Sequence, residues 1–391
     1  MSVTGAGYAR PMRICLIYDC LFPWTVGGAE RWYRNVAERL VAEGHEVTYL
    51  TRLQWDEGDE PRIDGVHVIA VSSRTPLYSN GRRRVLPPLL FGVGVLRHLL
   101  ANRRRYDVVH TASFPYFSLL AAGIVRPLAR FRLIVDWHEV WTKAYWREYL
   151  GPTGGAIGWG VQRLCLRIPQ RAFCFSRLHE RRLREEGIRG EVTLLEGEYA
   201  GSLERAEPVA PEPVVVFAGR HIPEKRVLTL VPAIARAAAA IPELRAEIFG
   251  DGPEREQLLA AIRNSGLEDR ISAPGFVETE EVERAMRSAL CMVLPSEREG
   301  YGLVVVEAAA LGTPVVVVAG PDNAAAELVE DGVNGFLAES ASAADLAAAI
   351  VGVHRAGRPL RWSTAEWFTR NAERLSIGRS LEHVLRIYAG G

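Results

Sequence analysis

The chain has 391 residues, 48% of them hydrophobic and 24% charged. That length allows two or three domains, and that composition suits a folded protein with a full core and excludes a disordered or fibrous one. Basic and acidic side chains number 47 each, so no nucleic-acid partner is expected, and no apolar run is long enough to span a membrane.

In chain order, Met1 to Arg10 is small and polar and is expected to fray. Arg13–Tyr18 reads as a short buried strand, followed by a loop over 19–28 that holds Gly27 and Gly28. A helix is expected from about Ala29 to Glu43, closed by Gly44 in the left-handed position after its end. His45–Thr51, Val66–Val71, Asp107–Thr111, Leu133–Asp136, Ala172–Ser176 and Val192–Leu195 read as further strands, with helical segments between most of them. Strands alternating with helices imply a parallel, doubly wound sheet. His138 follows the end of one such strand, where open α/β sheets place ligands.

Gly201–Pro213 has three prolines and no apolar periodicity, and reads as a linker. The pattern then restarts. Val214–Ala218 and Leu244–Phe249 are expected strands, and Arg226–Ala240, Glu254–Asn264 and Ala343–Val353 expected helices, the last capped by Ser342. Charge follows the same division: residues 1–210 hold 29 Arg and Lys against 22 Asp and Glu, and the remainder 18 against 25. A basic half followed by an acidic half implies two units. The aromatic, amphipathic segment Ser363–Tyr388 is expected to cross back and brace the first of them.

The richest stretch is Pro295-Ser-Glu-Arg-Glu-Gly-Tyr-Gly-Leu303. An apolar strand, Leu290–Leu294, precedes it, and an Ala-rich helix from Leu303 to Leu311 and a strand from Val315 follow. This is one βαβ unit with its polar residues at the strand's carboxyl end. Backbone N–H groups of Gly300, Tyr301, Gly302 and Leu303 at a helix N-terminus can cradle an anion. Glu299 and Glu307, with seven residues between them, offer carboxylates to ligand hydroxyls. A phosphate beside many hydroxyls describes a sugar nucleotide. Gly219, Arg220 and Lys225 flank another strand end, where two cations can offset the charge of a departing diphosphate.

With these residues in place, the chain resembles the retaining glycosyltransferases of family 4. The resemblance is carried in order by Gly27-Gly28-Ala-Glu30, Asp136-Trp-His138-Glu139, Phe217-Ala-Gly219-Arg220 with Pro223-Glu-Lys225-Arg226, Phe249-Gly-Asp-Gly-Pro253, the Glu299/Glu307 pair and Glu327-Leu-Val-x-Asp-Gly-Val-Asn-Gly335. It implies an α/β GT-B fold: two Rossmann-like domains facing each other across a cleft, 1–205 for the acceptor and 206–370 for the nucleotide-sugar donor, with 371–391 a helix packing back on the first. It implies Arg220 and Lys225 on the diphosphate, Glu307 on the ribose, Glu299 on the donor sugar and His138 facing that sugar. Gly27 and Gly28 would line the phosphate and acceptor loop. Neither cofactor nor metal is implied; the partners are a nucleotide-sugar donor and a hydroxyl acceptor. A nucleotide-sugar epimerase and a non-catalytic nucleotide-sugar binding module are the alternatives.

Two features depart from that pattern. An Asn-Gly-Val-Asp-like turn is replaced here by Glu196-Gly197-Glu198-Tyr199, and Trp137–Trp146 is unusually aromatic, a candidate acceptor contact. Cys15, Cys20, Cys165, Cys174 and Cys291 show no metal-ligand spacing, and their odd number without a signal peptide reads as a reducing cytoplasm. Within 82–105, arginine triplets bracket the apolar run Val85–Leu100. That arrangement reads as a helix packed on the sheet or as a peripheral contact with the inner face of a membrane.

Overall fold

The computed structural model describes residues 11–76, 78–79 and 82–390, so the expected fraying of Met1 to Arg10 lies outside it. The chain divides into two compact units: residues up to Glu198 together with those from Gly378 onward, and Tyr199–Ile377. The first unit runs β1 (Arg13–Ile17), α1 (Gly28–Ala42), β2 (Glu46–Arg52), β3 (Val66–Ser72), a short hairpin of β4 (Tyr78–Ser79) and β5 (Arg82–Arg83), α2 (Leu86–Ala101), β6 (Val108–Ala112), α3 (Phe117–Val125), β7 (Arg132–Trp137), α4 (Lys143–Leu166), β8 (Gln170–Cys174), α5 (Arg177–Glu185) and β9 (Gly190–Leu194). Its seven-stranded sheet has the order β3-β2-β1-β6-β7-β8-β9, and every pairing is parallel. Apolar runs such as Cys15-Leu16-Ile17 are buried throughout, as a sheet covered on both faces requires. Gly44 sits at φ 81°, donating to the Val41 carbonyl while His45 donates to that of Leu40, which closes α1 in a Schellman motif.

The second unit holds β10 (Val214–Ala218), α6 (Leu230–Ala237), β11 (Arg245–Phe249), α7 (Arg255–Asn264), β12 (Ile271–Gly275), α8 (Thr279–Ser288), β13 (Cys291–Leu294), α9 (Leu303–Ala310), β14 (Val315–Val318), β15 (Gly335–Ala338) and α10 (Ala343–Leu375). Its six strands are also parallel, in the order β12-β11-β10-β13-β14-β15. Ser342 caps α10, its hydroxyl accepting from the Asp345 N–H at 3.1 Å. That helix bends at Gly357, where φ is 61°. The last helix, α11 (Ile377–Tyr388), belongs almost wholly to the first unit, where the Tyr388 hydroxyl lies 2.5 Å from His110 Nδ1.

Three local expectations differ from the structure. The helix expected over 226–240 is broken: Pro223–Lys225 and Val227–Thr229 are 3₁₀ turns about Arg226, which is left-handed at φ 49°. The interruption lets the loop after β10 turn back over its strand end before α6 starts. β12 and α8 were not expected; β12 carries Pro274, tolerated because β12 is an edge strand of its sheet. The aromatic stretch Trp137–Trp146 is mostly core: Trp137, Tyr145 and Trp146 are buried. Trp137 Nε1 donates to Gln170 Oε1 at 2.9 Å and Trp146 Nε1 to Gln162 Oε1 at 3.1 Å, so the rings fill space and spend their polar edges inside the unit.

Candidate functional site

In each sheet the strand order reverses once beside the first strand, between β1 and β6 and again between β10 and β13. Loops leaving such a pair diverge to opposite faces, which opens a crevice at the carboxyl ends. The candidate residues gather at these two places.

In the second unit, the loop after β10 carries Gly219, Arg220 and Lys225, and the loop after β13 carries Glu299 to Gly302. Backbone bonds fasten the first of these to its neighbours. Gly219 N–H donates to the Phe249 carbonyl at 3.2 Å and His221 N–H to that of Asp251 at 2.8 Å. Gly250, at φ 119°, stands against the Gly219 carbonyl, where any side chain would collide with that oxygen. The two loops are tied to each other by Glu297 N–H on the Glu224 carbonyl at 2.9 Å and by Arg226 on Glu297 at 2.8 Å. Lys225 Nζ lies 2.5 Å from Glu299 Oε1, and both side chains are largely buried. Arg220 is exposed at the rim.

Glu299 is held from behind. Its N–H donates to the Asp322 carbonyl and its own carbonyl accepts from Ala324 N–H at 3.0 Å. Asn323 locks that turn, its amide donating to the carbonyls of Ser296 and Val318 at 3.1 and 2.9 Å. Gly302 precedes α9 at φ 98°, and a methyl there would strike the Ala325 side chain. Only glycine satisfies both demands, and the chain thereby aims the first N–H groups of α9 out of the loop. Glu307 lies half-buried about one turn into α9. Sequence reasoning did not find Asn323 because its amide acts on backbone alone; its place in a turn among alanines was the available signal.

In the first unit, Gly27 and Gly28 open α1, and His138 follows β7. The His138 ring stacks on Phe175, centroids 4.6 Å apart at 6°, and its buried Nε2 has no hydrogen-bond partner among the described residues. Its Nδ1 is 3.9 Å from Glu198 Oε1, and the other Glu198 oxygen lies beside Gly28. Burial, and then the negative charge of Asp136, push the Glu198 carboxyl up to about 8. Burial also lowers the His138 pKa. Behind them Asp136 is fully buried, accepting from Trp32 Nε1 at 2.8 Å and contacting His110 Nε2 at 2.7 Å. Burial alone would raise its pKa, but His110, His138 and Trp32 together hold it below the ordinary carboxylate value. His110 passes the chain of contacts to Tyr388. Glu198 appeared in the sequence only as part of a departure from a motif; its role beside His138 is a product of folding.

Most of the sequence of each unit matches a known protein module. Residues 27–196 match the model described as "Glycosyl transferase 4-like domain", and residues 203–358 that described as "Glycosyl transferases group 1". The two matches together span most of the chain, and its two parallel-sheet units have the GT-B fold. Among solved GT-B structures, sucrose-phosphate synthase from Thermosynechococcus elongatus superposes with a TM-score of 0.79 at 21% identity, covering 96% of this chain and 98% of that one. The Anabaena protein HepE, solved with UDP-glucose, superposes at 0.72 with 19% identity, covering 97% and 100%. In sequence, the chain is 37% identical over 103 residues to 2-deoxystreptamine glucosyltransferase of Streptomyces kanamyceticus. That match covers 26% of this chain and spans only 27% of the relative's length.

Proposed function

We propose that this protein is a retaining, family-4-type glycosyltransferase that moves a sugar from a nucleoside-diphosphate sugar to an acceptor hydroxyl. The observation that carries the proposal is the juxtaposition of Lys225 and Glu299 at the crevice between β10 and β13, directly before the N-terminus of α9. A cation and helix N–H groups suit a diphosphate, and a carboxylate beside them suits sugar hydroxyls. The solved neighbour holding UDP-glucose supports that donor class.

In this reading the second unit, 206–370 in the sequence-based division, binds the donor. Gly219, Gly300, Tyr301, Gly302 and Leu303 approach it through backbone, and Glu307 accepts from the ribose. Arg220 and Lys225 stabilise the leaving diphosphate as its charge grows, so the step needs no metal or other cofactor. The leaving phosphate accepts the acceptor's proton as the new bond forms on the same face of the sugar. The first unit, braced by the C-terminal helix, handles the acceptor through the loop at Gly27 and Gly28. The Nε2 of His138, without a partner among the described residues, is assigned to a sugar hydroxyl.

The test is nucleotide release from UDP-, GDP-, ADP- and dTDP-sugars by purified protein in EDTA. Slow hydrolysis of one donor is the expected result and names it. An epimerase would instead convert its donor to an isomer without releasing nucleotide, and a binding module would show saturable binding with no turnover. Silence across the panel with no calorimetric binding would overturn the proposal.

A further inference from the structure

α2 has its apolar character on both sides. Phe91, Val95 and Leu99 are buried against the sheet. On the outer side, Leu86, Leu89, Leu90, Val93 and Leu100 are 50%, 42%, 38%, 46% and 37% exposed. Counting from Leu86 these positions are i, i+3, i+4, i+7 and i+14, which lie along one stripe of a helix. Arg97, also exposed, is the one charge on that stripe, and Val85 extends it at the N-terminal end with 62% exposure. A surface helix ordinarily turns polar residues outward. Here a helix that is apolar all round lies at the surface. α3, which packs on α2, adds Ile124 at 61% exposure, and the turn after it adds Leu128 at 63%.

The stretch of chain that carries this face holds charge of one sign, although Arg74 within it pairs with Asp56 from outside it. From Gly65 to Tyr106 there is no Asp or Glu, against eight arginines: Arg74, the triplet at 82–84, Arg97 and the triplet at 103–105. Arg84 and Arg103, Arg104 and Arg105 stand exposed at the two ends of α2; the side chains of 82 and 83 lie outside the described residues. The helix has 16 residues, or roughly 24 Å at 1.5 Å per residue. No helix among the described residues is long and apolar enough to cross a membrane.

We propose that the outer face of α2 is a docking surface for an anionic lipid bilayer, on which the helix lies in the plane of the interface. Leucine and valine side chains enter the boundary between headgroups and acyl chains. The arginines at both ends meet lipid phosphates, with their methylene stems lying along the apolar surface. The charge selects this occupant: an apolar protein partner would need no arginine at either end, and a second copy of the chain would bring the same positive charge to the same face.

The experiment is co-sedimentation of the full chain with vesicles of phosphatidylglycerol and phosphatidylcholine mixed, and of phosphatidylcholine alone, at low and high salt. Binding is read directly, so the result does not depend on the glycosyltransferase assignment. Pelleting with the anionic vesicles that fades in high salt is expected. Replacing Arg103, Arg104 and Arg105 by Gln should lower the partition coefficient roughly a hundred-fold, at about ten-fold or less per arginine near the surface. Leu89→Glu with Leu90→Glu should abolish binding. All replaced residues are exposed, and unchanged circular dichroism and melting temperature confirm that the variants fold. Absence of pelleting with any vesicle, or equal pelleting with the neutral vesicles at both salts, would overturn the proposal. So would a concentration-dependent dimer that Leu89→Glu with Leu90→Glu dissolves.

Discussion

The buried Glu198 carboxyl makes the stability of the first unit depend on pH in a direction opposite to the usual carboxylate. Its folded-state pKa is raised from 4.5 to about 8, chiefly by burial and further by Asp136. A raised pKa means that the folded state holds a proton that the unfolded chain has already lost. Stability is therefore full below about pH 4.5 and falls as pH rises through about 8. Between pH 6 and 8 the loss approaches one proton per molecule, about 1.4 kcal/mol per pH unit. It comes to about 2 kcal/mol once partial ionisation of the folded carboxyl near pH 8 is included. Glu198→Gln keeps the size and neutrality of the protonated group and removes the titration. Urea unfolding of both proteins at pH 6, 7 and 8 measures the difference, and other titrating groups cancel between them. The variant should already be more stable than the parent by about 2 kcal/mol at pH 6 and by about 4 kcal/mol at pH 8, the gap widening by about 2 kcal/mol between them. Parallel pH profiles for the two proteins, within about 0.5 kcal/mol, would refute the reasoning and show that Glu198 reaches water in the folded state.

Three further outcomes follow from the geometry. Lys225→Ala and Arg220→Ala should each lower turnover on the active donor by roughly a hundred-fold or more with the fold retained by circular dichroism, the scale expected when a group that offsets transition-state charge is removed; near-normal turnover in both would end the diphosphate assignment. Gly302→Ala should cost on the order of 1–3 kcal/mol of stability in thermal or urea unfolding, because φ 98° and the Ala325 side chain both oppose a methyl there. Trp32→Phe removes the indole N–H that Asp136 accepts at 2.8 Å; leaving a buried carboxylate short of a donor should cost about 1–3 kcal/mol, against little change for Trp24→Phe at a partly exposed site.

The alternation of strands and helices was legible because parallel strands covered on both faces must be continuous apolar runs. Cys15 to Ile17 and Val315 to Val318 are such runs. Gly44 and Ser342 marked helix ends through requirements that act within a few residues, a left-handed backbone and a side-chain cap. β12 escaped notice because Pro274 and Gly275 weaken its pattern, and an edge position tolerates what a central strand would not. The helix expected from Arg226 failed for a longer-range reason: the loop must return over the end of β10 to place Lys225 against Glu299, 74 residues away.

The candidate residues separate along the same line. Sequence by itself determined the two runs of βα units, the cluster of polar residues and glycines after β13 and the glycines that local backbone geometry demands, because each is set by neighbours in the chain. Tertiary structure alone decided that Lys225 meets Glu299 and that Asp136 is tied to Trp32, His110 and, through it, Tyr388, 278 residues beyond His110. It alone decided that Glu198 stands beside His138 with its carboxyl pKa raised by burial, and that the outer stripe of α2 is left uncovered. These depend on strand order and burial. A parallel sheet brings together loop residues from distant parts of the chain, and the dielectric around a carboxyl is set by everything packed against it.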